Sequence, residues 1–160
     1  MRIDSKSALT LAALIRSALA AIDRIETHVS QFNLNNLSPA ELDSLGYSLH
    51  NIYNALENCF EQISLSFESH VRDRARWHRE LLETMFLDIE PLRPAVLPEQ
   101  VRSLLTDLLG FRHLFRHAYE LKLDQAKTIA LWNRWSLENT HLKQSLAFFT
   151  NELEQFGREA

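Results

Sequence analysis

Chain reversals rely on residues that break helices, and this chain has few of them. Three glycines and four prolines stand among 160 residues, where average usage of roughly 12% for the pair would supply about twenty. Elements must therefore be long and turns few. Twenty-eight residues are leucine and only four are valine, a balance that favours straight-chain helix formers over the β-branched residues suited to a pleated sheet. Collagen-like, sandwich and barrel architectures are excluded, and an all-α fold is expected. With 46% apolar and 24% charged residues, the chain can bury a core, fits one domain over residues 1–160 and is not disordered.

The net charge of −4 and a pI near 6.0 lack the basic footprint of a generic nucleic-acid binder, although a net charge averages over local patches. The lone cysteine, Cys59, has no partner for an internal disulfide, which fits a reducing, cytoplasmic compartment. Arg2 and Lys6 ahead of the apolar run Ala8 to Ile15, with Ala18-Leu19-Ala20 after it, have the outline of a leader peptide. Arg16 interrupts that run, however, and the helical spacing Leu9, Ala12, Ile15, Leu19, Ile22, Ile25, Val29, Phe32 continues past it as in a core helix. No stretch is apolar for long enough to read as a membrane span.

The pattern predicts about five helices. The first should run from Ser5 to Phe32 and end in the polar stretch Asn33 to Asn36. Ser38-Pro39-Ala40-Glu41 places Ser at an N-cap, Pro at the first helical position and Glu two residues later, a capping box that opens the second helix. Its apolar stripe is Leu42, Leu45, Leu49, Ile52, Leu56 and Phe60, with Gly46 inside. A break around Ser64 to His70 should precede a third helix from Arg72 to Ile89. Pro91, Pro94 and Pro98 force a connection, and Pro98-Glu99 begins a fourth helix that Gly110 could bend or end. Phe111 to Leu123 is helical in pattern but unusually charged, and a last helix should run from Asp124 to Phe156, before Gly157.

Reactive side chains gather in two places. In His70 to Glu80, a continuous helix would align Arg72, Arg76 and Arg79 on one face, either as a solvated surface or as phosphate contacts. In Phe111 to Glu120, Arg112, His113, Arg116 and His117 stand among Leu and Phe, where such groups are poorly explained as core or surface. His113, His117 and Glu120 share one helical face, which would suit a metal, but a His-x3-His pair alone is a weak signal. A metal-free reading uses more of the set. Imidazole can exchange a proton near neutral pH and guanidinium can neutralise a phosphorane, which suggests phosphodiester chemistry on RNA with the 2′-OH as internal nucleophile. Arg112 and His117 diverge by about 140° on an undistorted helix, so a two-fold dimer that joins two incomplete sites at its seam is an attractive arrangement. On the second helix Tyr47, His50, Asn51, Tyr53, Asn54, Glu57 and Asn58 suggest a polar seam buried against the motif helix, with His50 beside Asn54 and Tyr53 beside Glu57. Trp77, Trp132, Trp135 and Cys59 read as core.

The segment Arg112-His113-x-x-x-His117-x-Tyr119 resembles the R-x4-6-H signature of the HEPN superfamily, in the R-x4-H-x-Y form of the HepT-like toxin ribonucleases. Two further blocks agree in order, Gly46 to Asn58 and Trp77-His78-Arg79-Glu80-Leu81-Leu82, so the similarity spans residues 10 to 150 or so. The resemblance implies an α-helical bundle with a four-helix core, dimeric, acting as a metal-independent endoribonuclease and as the toxin of a type VII-like toxin–antitoxin pair. It implies as partner a minimal nucleotidyltransferase antitoxin that moves AMP from ATP to the motif tyrosine. By position, Arg112 and His117 would be catalytic, His113 and Arg116 supporting, and Tyr119 the modified residue, with no cofactor and no metal. His113 stands where the family most often has Asn, which favours an orienting role. The alternative is a non-catalytic accessory subunit that presents substrate to a nucleotidyltransferase.

Overall fold

The computed structural model describes residues 3–68, 77–117 and 122–159. Five α-helices occupy most of them: α1 (Ser5–Val29), α2 (Pro39–Phe67), α3 (Trp77–Thr84), α4 (Arg102–His117) and α5 (Gln125–Glu159), with a 3₁₀ turn at Glu99–Val101 leading into α4. Asp4 caps α1 by accepting from the Ser7 amide, and Asp124 caps α5 by accepting from the Lys127 amide. The capping box before α2 is complete. Ser38 accepts from the Glu41 amide while the Glu41 carboxylate accepts from the Ser38 amide at 2.8 Å. Ser38→Ala removes one half of this exchange, worth about 1 kcal/mol, and a thermal melt should show a Tm lower by about 2–4 °C. An unchanged melt would mean that the box contributes nothing.

Helix α2 is the centre of the bundle and packs on each of the other four α-helices. Its expected stripe is buried from Leu45 through Phe60, and the burial extends to Ile63 and Phe67. Helix α1 runs antiparallel to both α2 and α5, so α5 lies parallel to α2, with Phe67 of α2 against Phe149 of α5. The seam of α1 with α5 is partly polar: Glu26 accepts from Trp135 Nε1 and Asn139 Nδ2, both at 2.9 Å, and also holds Lys143. Trp132 and Trp135 are core residues, as expected, and Cys59 is buried so deeply that its thiol is pushed up to about 12 and is no nucleophile. Trp77 is partly buried at the margin of the core.

Several boundaries differ from the sequence reading, beginning with α1, which ends at Val29 rather than Phe32. Helix α3 stops at Thr84 rather than Ile89, because Met85 turns its carbonyl to the amides of Val96 and Leu97 and the buried Arg93 guanidinium takes the carbonyls of Thr84 and Leu87. The expected start of that helix, from Arg72, lies outside the described residues. Gly110 does not end α4, which continues past it to His117. Nor does Gly157 end α5. A Cβ there would come within 2.7 Å of Leu9 Cγ, so the glycine lets α5 close on α1.

Candidate functional site

Residues His50, Tyr53, Asn54 and Glu57 are spaced i, i+3, i+4 and i+7 and therefore share one face of α2. Helix α4 lies antiparallel against this face. Gly46 permits the close approach: a Cβ on it would meet Leu123 Cδ1 at 2.5 Å and Phe115 Cε2 at 3.1 Å. Phe115 in turn packs on the His50 ring, 5.1 Å between centroids. This brings Arg112 of α4 over Asn54 and Glu57. Its Nε donates to Asn54 Oδ1 at 2.6 Å and its Nη2 to Glu57 Oε2 at 2.8 Å. The arginine side chain is 11% exposed and the glutamate 5%, so the pair is almost wholly removed from water. The other carboxylate oxygen, Glu57 Oε1, accepts from His78 Nδ1 of α3 at 2.6 Å.

Donor chemistry fixes the orientation of every member of this chain. A guanidinium only donates, so the Asn54 amide must turn its oxygen to Arg112 and donate through Nδ2 to His50 Nε2, 2.8 Å away. His50 then carries its proton on Nδ1. Burial, followed by the charges of Arg112 and Arg116, holds it below the usual imidazole range, so at neutral pH it is an uncharged acceptor. Burial and the neighbouring Glu57 push the Tyr53 phenol well above its ordinary range, and its hydroxyl has no partner among the described residues. Neither Tyr53 nor Cys59 offers a nucleophile. What remains reactive faces a groove between α3 and α4, lined by His78, Arg79, Glu80, Thr106, Leu109, Gly110, Arg112 and His113. Gly110 leaves open space where any side chain would fill the groove.

The sequence profile of HepT-like proteins matches residues 44–153. The chain belongs to the HepT-like family. The match takes in most of α2, all of α3 and α4 and most of α5, hence every residue of the site just described. Searches among curated proteins and solved structures find no match.

Of the residues singled out in this HepT-like sequence, the structure brings Arg112, His113 and Arg79 to one groove. Arg116 is exposed on α4, close enough to bear on His50, and His117 is the last described residue of that helix. Arg72, Arg76 and Tyr119 lie outside the described residues, as does Glu120, which would complete a metal set with His113 and His117. The expected polar seam on α2 is present but divided. His50, Asn54 and Glu57 face α4, whereas Tyr47, Asn51 and Asn58 line a second groove, towards Arg24 and His28 of α1. Tyr53 does lie beside Glu57, near enough for the carboxylate to bear on its phenol, while Arg112 and His78 hold the two carboxylate oxygens. The role of His78 escaped the sequence reading, since nothing in a separation of 21 residues signals its bond to Glu57.

Proposed function

We propose that this HepT-like chain is a metal-independent endoribonuclease, one HEPN-like domain over residues 1–160 that serves as the cytoplasmic toxin of a toxin–antitoxin pair. The observation that carries the reading is the anchored Arg112, held at two nitrogens by buried partners on the wall of a groove. A buried ion pair is no better for stability than a well-packed apolar pair, so an arginine set in this way is better explained by what it does than by what it holds together. The groove lining carries Arg79, Arg112, His78 and His113 against one acid, Glu80, a local basic surface within a chain of net charge −4. RNA phosphate is the natural ligand for it. Arg112 stabilises charge on the non-bridging phosphate oxygens while His117 moves a proton, His113 and Arg116 supporting them, and Arg72, Arg76 and Arg79 contact the RNA backbone.

A two-fold dimer completes the site. Arg112 and His117 diverge around α4, and Leu114 between them is 54% exposed, which suits contact with a second copy. The antitoxin is a minimal nucleotidyltransferase that places AMP on Tyr119, where a bulky charged group would repel RNA phosphate. The purified chain should cut RNA in the presence of EDTA, and His117→Ala should abolish cutting. After co-expression with a neighbouring nucleotidyltransferase, mass spectrometry should find AMP-sized increments on Tyr119. Intact RNA together with a stable, unmodified complex would instead make the chain an accessory subunit.

A further inference from the structure

Cleavage of RNA by its own 2′-OH requires two proton transfers, one away from the 2′-oxygen and one to the departing 5′-oxygen. Guanidinium serves neither, since it keeps its protons in proteins, and His117 serves one. We infer that His78 is the other proton-transfer residue of the RNA site, the general base for the 2′-OH, held in position by Glu57. The inference rests on the ribonuclease reading above and extends it to a residue outside the R-x4-H segment.

The geometry carries the assignment. His78 Nδ1 is bonded to Glu57 Oε1 at 2.6 Å, and a carboxylate only accepts, so the proton sits on Nδ1 and Nε2 carries the lone pair. The ring is 37% exposed and lines the groove beside Arg112, while the Trp77 ring braces it edge-on at 4.9 Å. The same carboxylate holds Arg112 through its second oxygen at 2.8 Å. One buried side chain thus fixes a proton acceptor and an anion stabiliser in register on one phosphate site. Glu57 also faces the imidazolium that forms when Nε2 takes a proton, the arrangement in which a carboxylate makes a histidine an effective base. Among the described residues, the other charged or titratable groups that line the groove with His78 are Arg79 and Glu80 from α3 and Arg112 and His113 from α4.

The step closes without water, metal or oxidant. His78 Nε2 takes the 2′-hydroxyl proton as the 2′-oxygen bonds to phosphorus. The bond from phosphorus to the 5′-oxygen breaks, its electron pair stays on that oxygen, and a protonated His117 supplies the proton. The products are a 2′,3′-cyclic phosphate and a 5′-hydroxyl end.

The test uses full-length protein and an RNA oligonucleotide with one cleavage site, with an ordinary 5′-oxygen or with sulfur in its place. His78→Asn keeps a donor for Glu57 in the position of Nδ1 and removes Nε2, and a thermal melt checks that it folds. It should cut at least about 100-fold more slowly than the parent, lose the parent's rise in rate through the acidic limb of the pH profile, and gain nothing from sulfur. His117→Ala should be restored by sulfur, because a thiolate leaves without a proton. Glu57→Gln should fall between parent and His78→Asn. A folded His78→Asn with the parental rate and pH profile would overturn the assignment, as would its restoration by sulfur, which would make His78 the acid. A parent chain that leaves all RNA intact would overturn the ribonuclease reading itself, and this inference with it.

Discussion

Arg112→Ala should lose both RNA cleavage and a large part of the chain's stability, and the two losses can be separated. Removing one preorganised donor to a developing anion lowers a rate by about 10²–10³. Removing one partner of a buried pair is strongly destabilising, by about 3–5 kcal/mol, because Glu57, 5% exposed, would keep only His78 among the described residues. For a chain of this size the Tm should fall by roughly 10 °C. Arg112→Lys would keep the charge but not the fork that reaches Asn54 and Glu57 together, so it should melt above Arg112→Ala and still cut poorly. The decisive variant replaces both partners, Glu57→Leu with Arg112→Met. Apolar residues of similar volume remove the stranded charge, so the melt should return most of the way to the parent's while RNA stays intact. Arg112→Ala protein that cuts RNA at the parental rate would remove the basis of the functional reading, whatever its Tm.

Local signals carried the parts of the fold that depend on neighbours in sequence. Ser38, Pro39 and Glu41 determine where α2 starts because a cap is a bargain among four consecutive residues, and the leucine spacing of α2 marks the side that packs. The end of α3 was not legible, since it depends on Arg93 and Val96 reaching back across the chain to Thr84 and Met85. Gly157 misled for the same reason. Its value lies in what it lets approach, Leu9 from the far end of the sequence, and not in any local turn. At the site, Arg112 and the polar face of α2 were visible as residues out of place in an apolar pattern. Their pairing was not: Asn54 and Glu57 are 58 and 55 positions from Arg112 and His78 is 21 from Glu57, so only the packed helices decide that Glu57 serves Arg112 and His78.

Arg93→Ala should be the most damaging substitution outside the site. Its side chain is wholly buried in the connection between α3 and α4, against Glu68 at the end of α2, itself 4% exposed. Nε donates to Glu68 Oε1 at 2.9 Å, Nη2 to the same carboxylate and to the Thr84 carbonyl at 3.0 Å, and Nη1 to the carbonyls of Leu87 at 3.3 Å and Pro94 at 3.2 Å. One guanidinium therefore ties together the ends of α2 and α3 and the proline-rich connection. Alanine would take the guanidinium from the buried Glu68 carboxylate and the donors from the carbonyls of Thr84, Leu87 and Pro94, for a loss of about 3–5 kcal/mol and a Tm lower by roughly 10 °C. Lysine, with three donors at one point, cannot span the same acceptors and should recover little. The described part of α3 has eight residues, too few to persist unaided, so loosening its end should act on the groove through His78. In hydrogen exchange at a temperature where Arg93→Ala is still folded, the amides of α3 should exchange faster than in the parent, while those of α1 and α5 change little. An Arg93→Ala chain with the parental melt and parental α3 protection would show that the clamp holds nothing in place.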